Sequence, residues 1–231
     1  MPNVRVLLDK FCSKYEEKYP DHAPIVFHVR LRENDTLFSI DLRQAGSPIV
    51  AEGDHADAFY TWLTDVETLE KMYRGDLGPG TAAAMEQITD DAPLKAQLPE
   101  GESWTMEHYH KVVEFETAFF NPFNPEMVRF GEEFARPVHG GHAVSLFTAE
   151  GMRCAWYSIH KGERVNDDEH ANPFPSGIII LSGRMCGRIG GKDGELVAGE
   201  AYLIPASTTH TSWNEHDEPC HAIWIAWGIG A

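Results

Sequence analysis

The stretch Gly199-EAYLI-Pro205-Ala206-Ser207-TT-His210-TSW-Asn214 concentrates residues that could do chemistry. Gly199 and Pro205 bracket a short strand, and the turn after Pro205 aims His210 back toward whatever that strand encloses. An imidazole placed there can hydrogen-bond an organic ligand, or ligate a transition metal if further nitrogen, sulfur or carboxylate donors join it. The other histidines are less readily combined. His108 and His110 stand two apart in a helical pattern, so they point to different sides and cannot chelate together. His142 follows Gly140-Gly141 with no partner legible. His160, at a strand end before Lys161-Gly162, reads as rim rather than ligand; His216, in the acidic loop 214–218, reads as solvated; His221 opens the last strand and can face either side. Trp213, Trp224 and Trp227 read as aromatic bulk, with one of them available as a pocket wall. There is no Gly-x-Ser-x-Gly elbow, no Walker loop and no Gly-x-Gly-x-x-Gly between strand and helix. The glycine-rich run 187–194 lies between two strands and reads as a hairpin turn.

Short strands must position these groups. From His139 onward, strands are expected at 144–147, 152–160, 177–181, 185–189, 201–204 and 222–227, separated by Gly, Asn, Asp and Pro clusters, which suggests a sandwich or barrel. Upstream, residues 99–137 read as a helical connector that packs both lobes together. Ser103 is the expected cap of a helix from Trp104 to Phe120. Asn121-Pro122-Phe123-Asn124-Pro125 ends that helix, and a second short one is expected at 126–134. The opening section begins with Val4, Leu7, Leu8, Phe11 and Tyr15 at helical spacing. A hairpin follows, with Ile25, Phe27, Val29 and Leu31 alternating before a turn at Glu33-Asn34-Asp35, and Phe38, Ile40 and Leu42 after it. A short strand at 48–51, an aromatic stretch at 57–63 and helices at 66–73 and 80–88 complete it.

The spacing from Gly199 to Asn214 resembles the second motif of the cupin family: glycine, five residues, proline, one residue, usually glycine, two residues, histidine, three residues, asparagine. Ser207 alone departs, standing where glycine is usual. The family's first motif is degraded here. Gly162 and Gly183 match its two ends, and counting back from Gly183 places Ser176 at its glutamate and His170 and Asn172 at its histidine pair. The resemblance therefore implies an all-β cupin or jelly-roll barrel over residues 138–231, with His170, Asn172, Ser176, His210 and Trp213 lining a ligand pocket. Two of four customary metal ligands, His170 and His210, survive. Glu169 is the expected substitute carboxylate, with Asp167 and Asp168 as alternatives. Two histidines and one carboxylate would suit a divalent transition metal such as Fe, Mn, Zn or Ni.

Residues 1–98 resemble the sterol-carrier-protein-like lipid-binding fold. The strand pair FHVRLRENDTLFSIDL and the run ADAFYTWLTDVETLEKMYRGDLGPGTAAAM carry that likeness, which implies an α+β domain of a sheet with helices and a hydrophobic-ligand site.

The 231 residues suffice for these two domains, and a formal net charge of -17 argues against nucleic acid and anionic membrane surfaces as partners. No apolar run is long enough to span a bilayer, no leader peptide is read, and four scattered cysteines fit a reducing cytoplasm. The expected function is binding of a small molecule in the barrel. The alternative is a metal-dependent dioxygenase, isomerase or lyase using His170 and His210. A homodimer is expected, with the C-terminal strand HAIWIAWG as a contact.

Overall fold

A computed structural model describes residues 4–83 and 92–231, apart from the side chains of Met106, Glu107, Tyr109 and His110. The expected helix at 80–88 is seen only in its first turn; the rest lies outside the described residues. The chain divides into two compact units, Met1–Val128 and Arg129–Ala231.

In the first unit, helix α1 (Val4–Lys18) buries the expected stripe Leu7, Leu8, Phe11, Cys12 and Tyr15. Strands β1 (Val26–Leu31), β2 (Leu37–Asp41), β3 (Ile49–Glu52), β4 (Thr61–Thr64) and β5 (Lys95–Gln97) form a sheet of order β3-β2-β1-β4-β5, in which only β1 and β4 run parallel. Helices α2 (Val66–Arg74), α3 (Pro79–Ala83) and α4 (Met106–Phe119) complete it. Aromatic rings fill the core: Phe11, Phe27, Tyr60, Trp62, Phe119 and Phe120 are all fully buried, at ring separations of 4.9 to 6.1 Å. Such clusters combine large buried area with edge-to-face attraction.

Residues 99–137 do not stand apart as a helical connector. Phe119 and Phe120, at the end of α4, belong to the first unit's core. The Lys18 ammonium, nearly fully buried, donates to the carbonyls of Ala118 and Asn121 and to Glu126 Oε1 at 2.6 to 2.7 Å. A lysine at the end of α1 thus neutralises the carbonyl end of α4 and ties residues 118–126 into the same unit. Thr105, not Ser103, caps α4, its Oγ1 accepting from the His108 amide. In place of the short helix at 126–134 there is one 3-10 turn, Glu132–Phe134.

The second unit is built of strands. β6 (Arg136–Val138), β7 (Gly141–Ala149), β8 (Met152–Ile159), β10 (Ser176–Ser182), β13 (Ala201–Ile204) and β15 (Cys220–Trp227) make a six-stranded sheet of order β13-β10-β15-β8-β7-β6. β9 (Arg164–Val165), β11 (Arg184–Ile189), β12 (Lys192–Val197) and β14 (His210–Trp213) make a four-stranded sheet of order β12-β11-β14-β9. The two sheets share one core. Ile159, Ile178, Ile180, Ile204, Cys220 and Ala222 from the larger meet Met185 and Leu196 from the smaller. Among the described residues, no helix is long and apolar enough to cross a membrane.

Candidate functional site

Cross-strand register shows what the barrel encloses, because directly paired residues in antiparallel strands share a face. Along β8, β15 and β10, Tyr157 pairs with Ala222 and Ala222 with Ile180. The next row is Ala155, Trp224 and Ile178, and the last is Arg153, Ala226 and Ser176. The first rows are apolar core; the last turns polar. Ser176 is fully buried, and its Oγ has no hydrogen-bond partner. The Arg153 guanidinium lies over the rings of Phe174 at 5.1 Å and Trp224 at 5.9 Å, with its Nε buried and likewise unpaired. Ala226 between them contributes only a methyl group, so both polar side chains look across a small residue.

His210 begins β14 opposite Ile189, whose side chain packs on the inner core, so the imidazole faces inward; it is buried. Its Nδ1 lies 3.2 Å from the Thr208 carbonyl, which assigns the proton to Nδ1 and leaves the Nε2 lone pair free. An isolated bridge between Ala171 and Thr209 brings His170 alongside His210. The Asn166 amide clamps this pairing by donating to both the His170 and His210 carbonyls. His170 sits at the rim, half-exposed, with Nδ1 2.9 Å from Asp168 Oδ1. Burial holds His210 below the ordinary imidazole pKa, with nearby His170 adding to the effect. His139 is held down by burial, then by His170 and Arg153. Burial pushes the Tyr157 phenol up to about 12, so it stays protonated. Arg153 thus brings its guanidinium close to His139, whose imidazole it helps to hold down.

The family model for the cupin domain matches residues 155–226. This part of the chain is a cupin domain. Among solved structures, the plu4264 protein of Photorhabdus luminescens is 19% identical, with 44% of this chain and 86% of that one covered at a TM-score of 0.39. A cupin 2 conserved barrel domain protein of Salinispora arenicola is 18% identical over 45% and 89% of the two chains, TM-score 0.39. A cupin superfamily protein of Desulfitobacterium hafniense is 16% identical over 43% and 83%, TM-score 0.35. No curated protein matches the sequence.

The residues expected to line the cupin pocket fall into two groups. His170 and His210 come together, and Ser176 takes an inward position. Asn172 is half-buried, and its carbonyl accepts from the Ser207 amide at 2.7 Å. Ser207 has φ +60°, the left-handed conformation for which the motif usually supplies glycine. Trp213 is a correction: three residues beyond His210 on the same strand, it projects from the opposite face. There its ring lies under Arg164 at 4.4 Å and its Nε1 donates to Glu215. Glu169 is another: its carboxylate is taken by Arg188 at 3.1 Å, and Arg188 pairs with Thr211, on the face away from His210. A metal held in the barrel does not fit this donor set. Among the described residues, neither His170 nor His210 joins two other His, Cys, Asp or Glu ligand atoms within 4.8 Å, and two imidazoles alone hold a divalent ion weakly.

Sequence reasoning missed Arg153 and His139. The alternation of Arg153 with the buried Ala155 and Ile159 was the available signal for the first; His139 had none. It also missed a group outside the barrel interior: His142, His160 and Glu163, whose ligand atoms all lie within 4.8 Å of one another.

Proposed function

We propose that the cupin domain binds a small anionic molecule, bearing a carboxylate or phosphate, in the barrel interior. Arg153 supplies the charge, Ser176 a hydroxyl, His210 and rim His170 further polar contacts, and Phe174 and Trp224 flat apolar walls. One observation carries this reading: Arg153 Nε and Ser176 Oγ, in one row on either side of Ala226, are both buried and unpaired. A buried polar group without a partner costs about 1–3 kcal/mol, and two such groups facing one space are offset by a ligand that accepts from both. The chain's charge of -17 disfavours loose anion binding, so only a built cationic recess would hold an anion. The test is a thermal-shift panel of acetate, benzoate, malonate and inorganic phosphate beside neutral benzamide. Stabilisation by one or more anions and not by benzamide supports the reading; an equal response to benzamide, or none to any compound, discards it.

The exposed side chains of Ile179, Leu181, Leu203 and Trp227 share the outer face of β10, β13 and β15, which supports a homodimer through this sheet. Sedimentation showing a monomer at micromolar concentration discards it. For the first unit, the sterol-carrier resemblance proposes a hydrophobic ligand. The rings that fill the interior would have to move to admit one, and native mass spectrometry with fatty acyl probes, showing no adduct, rejects it.

A further inference from the structure

We propose that His142, His160 and Glu163 form a divalent-cation site of zinc type, on the outer face of the six-stranded sheet and separate from the barrel pocket. The fold assembles it from three places. His142 on β7 pairs with Ser158 on β8, and His160 lies two residues beyond Ser158, so both imidazoles project from the same face. The turn after β8 then folds Glu163 back. Its amide donates to the His160 carbonyl at 3.0 Å, and Asn214 clamps the turn by accepting from Gly162 and donating to the Glu163 carbonyl.

The ligand atoms are gathered nearly as closely as donors around one ion, all within 4.8 Å of one another. Glu163 Oε1 lies 3.1 Å from His142 Nδ1 and 3.5 Å from His160 Nδ1. Donor atoms at about 2.0–2.2 Å from a tetrahedral zinc stand roughly 3.3–3.6 Å from one another, so the 3.5 Å contact already has that spacing and the 3.1 Å contact would open slightly. The His142–Glu163 contact is moreover not a hydrogen bond. His142 Nδ1 is buried and unpaired although the carboxylate oxygen is close, so the oxygen lies off the direction in which that nitrogen would donate. A lone pair and a carboxylate oxygen directed at a shared point, rather than at each other, have this geometry.

A second carboxylate orients the ligands. Glu132 lies 3.2 Å from His160 Nε2 and 3.1 Å from His221 Nε2, and accepts from Ser158 Oγ. A proton on Nε2 directed at Glu132 leaves the His160 Nδ1 lone pair toward Glu163, the arrangement by which carboxylates orient metal-bound imidazoles. Glu163 Oε2 is held by the His160 amide at 2.7 Å, which turns Oε1 toward the two rings. All three side chains are partly exposed to solvent, although the His142 Nδ1 atom itself is covered. Two imidazoles and one carboxylate leave room for water or a further ligand, as in sites that are not closed structural ones.

The test is isothermal titration of the chelator-treated full chain with zinc chloride, with cobalt(II) absorption as a second readout. The wild type should bind one equivalent, with intense visible d–d bands for the cobalt form. Glu163→Gln and His142→Ala should each weaken zinc at least tenfold, and Glu132→Gln by roughly 10–100-fold through loss of ligand orientation. His210→Ala should leave binding unchanged. No binding by the wild type at millimolar zinc, equal binding by the His142 and Glu163 variants, or loss in His210→Ala would each overturn the proposal. Should Glu163→Gln not fold, His142→Gln gives the same reading.

Discussion

Replacing Ser176 by alanine should stabilise the ligand-free protein while weakening anion binding. The two effects have one origin. Ser176 is fully buried and its Oγ finds no partner among the protein's own groups, so no protein hydrogen bond repays the desolvation of its hydroxyl. Alanine deletes that oxygen and leaves the backbone pairing with Ile204 and Ala226 intact; the void is one atom, so the cavity penalty is small. Relief of about 1–3 kcal/mol is expected. In a unit the size of Arg129–Ala231, the lower end of that range raises the melting temperature by about 4–8 °C. With a bound anion the sign reverses, because a hydrogen bond to a charged group contributes about 1.5–3 kcal/mol, or roughly 10–150-fold in affinity. Urea titration at constant m value measures the first effect, and isothermal titration with the best anion of the panel measures the second. A variant that is destabilised by about 1 kcal/mol or more, or that binds as tightly as wild type, would refute the reasoning, since the hydroxyl would then be satisfied without ligand.

Two glycines of the barrel should differ in tolerance to alanine, as denaturant midpoints would show. Gly199 (φ +87°) has open space where a side-chain methyl group would stand, so only the left-handed backbone penalty of about 1–2 kcal/mol applies. At Gly183 (φ +72°) the new Cβ would lie 2.5 Å from the Pro219 carbonyl oxygen, and the loss should exceed about 3 kcal/mol; equal losses would contradict the register between β10 and β15. Trp62→Ala should cost about 3–5 kcal/mol in the first unit, and a loss under about 1 kcal/mol would mean the ring cluster is not its core. Acid should weaken the barrel. His139 and His210 are held below the ordinary imidazole value, so their stability contribution is intact above about pH 6.5 and is lost as the pH falls below it, when the unfolded chain takes up protons the native state refuses. The slope stays under about 1.4 kcal/mol per pH unit per group, the limit set by one proton each. His139→Gln should flatten it, and a flat profile for the wild type between about pH 7.5 and 5.5 would count against their burial.

How much of the molecule is legible in the sequence varies with how locally each feature is built. The placement of His210 follows from Gly199 and Pro205, which shape one strand and one turn, and the hairpin of β1 and β2 follows from strict alternation. β12 escapes a sequence reading because KDGELV is exposed at every position but Leu196 and so lacks an apolar period. Trp213 reads as a pocket residue by its nearness to His210, although a strand's period of two puts residues three apart on opposite faces. The helical connector fails for a longer-range reason: Lys18 holds carbonyls 100 residues and more downstream, and nothing near residue 118 announces it. The His142, His160 and Glu163 cluster is spread over two strands and a turn, with Glu132 reaching it from before β6, so its members look unrelated until the sheet register aligns them.

The account's central claim is a cationic recess built around Arg153, and Arg153→Met tests it most directly because it keeps the stem that packs against Phe174 and Trp224 while removing the charge. Isothermal titration of wild type and variant with the best anion of the panel should show an affinity loss of at least tenfold in the variant, with its melting temperature unchanged or raised. Equal affinity in the two proteins would contradict the claim.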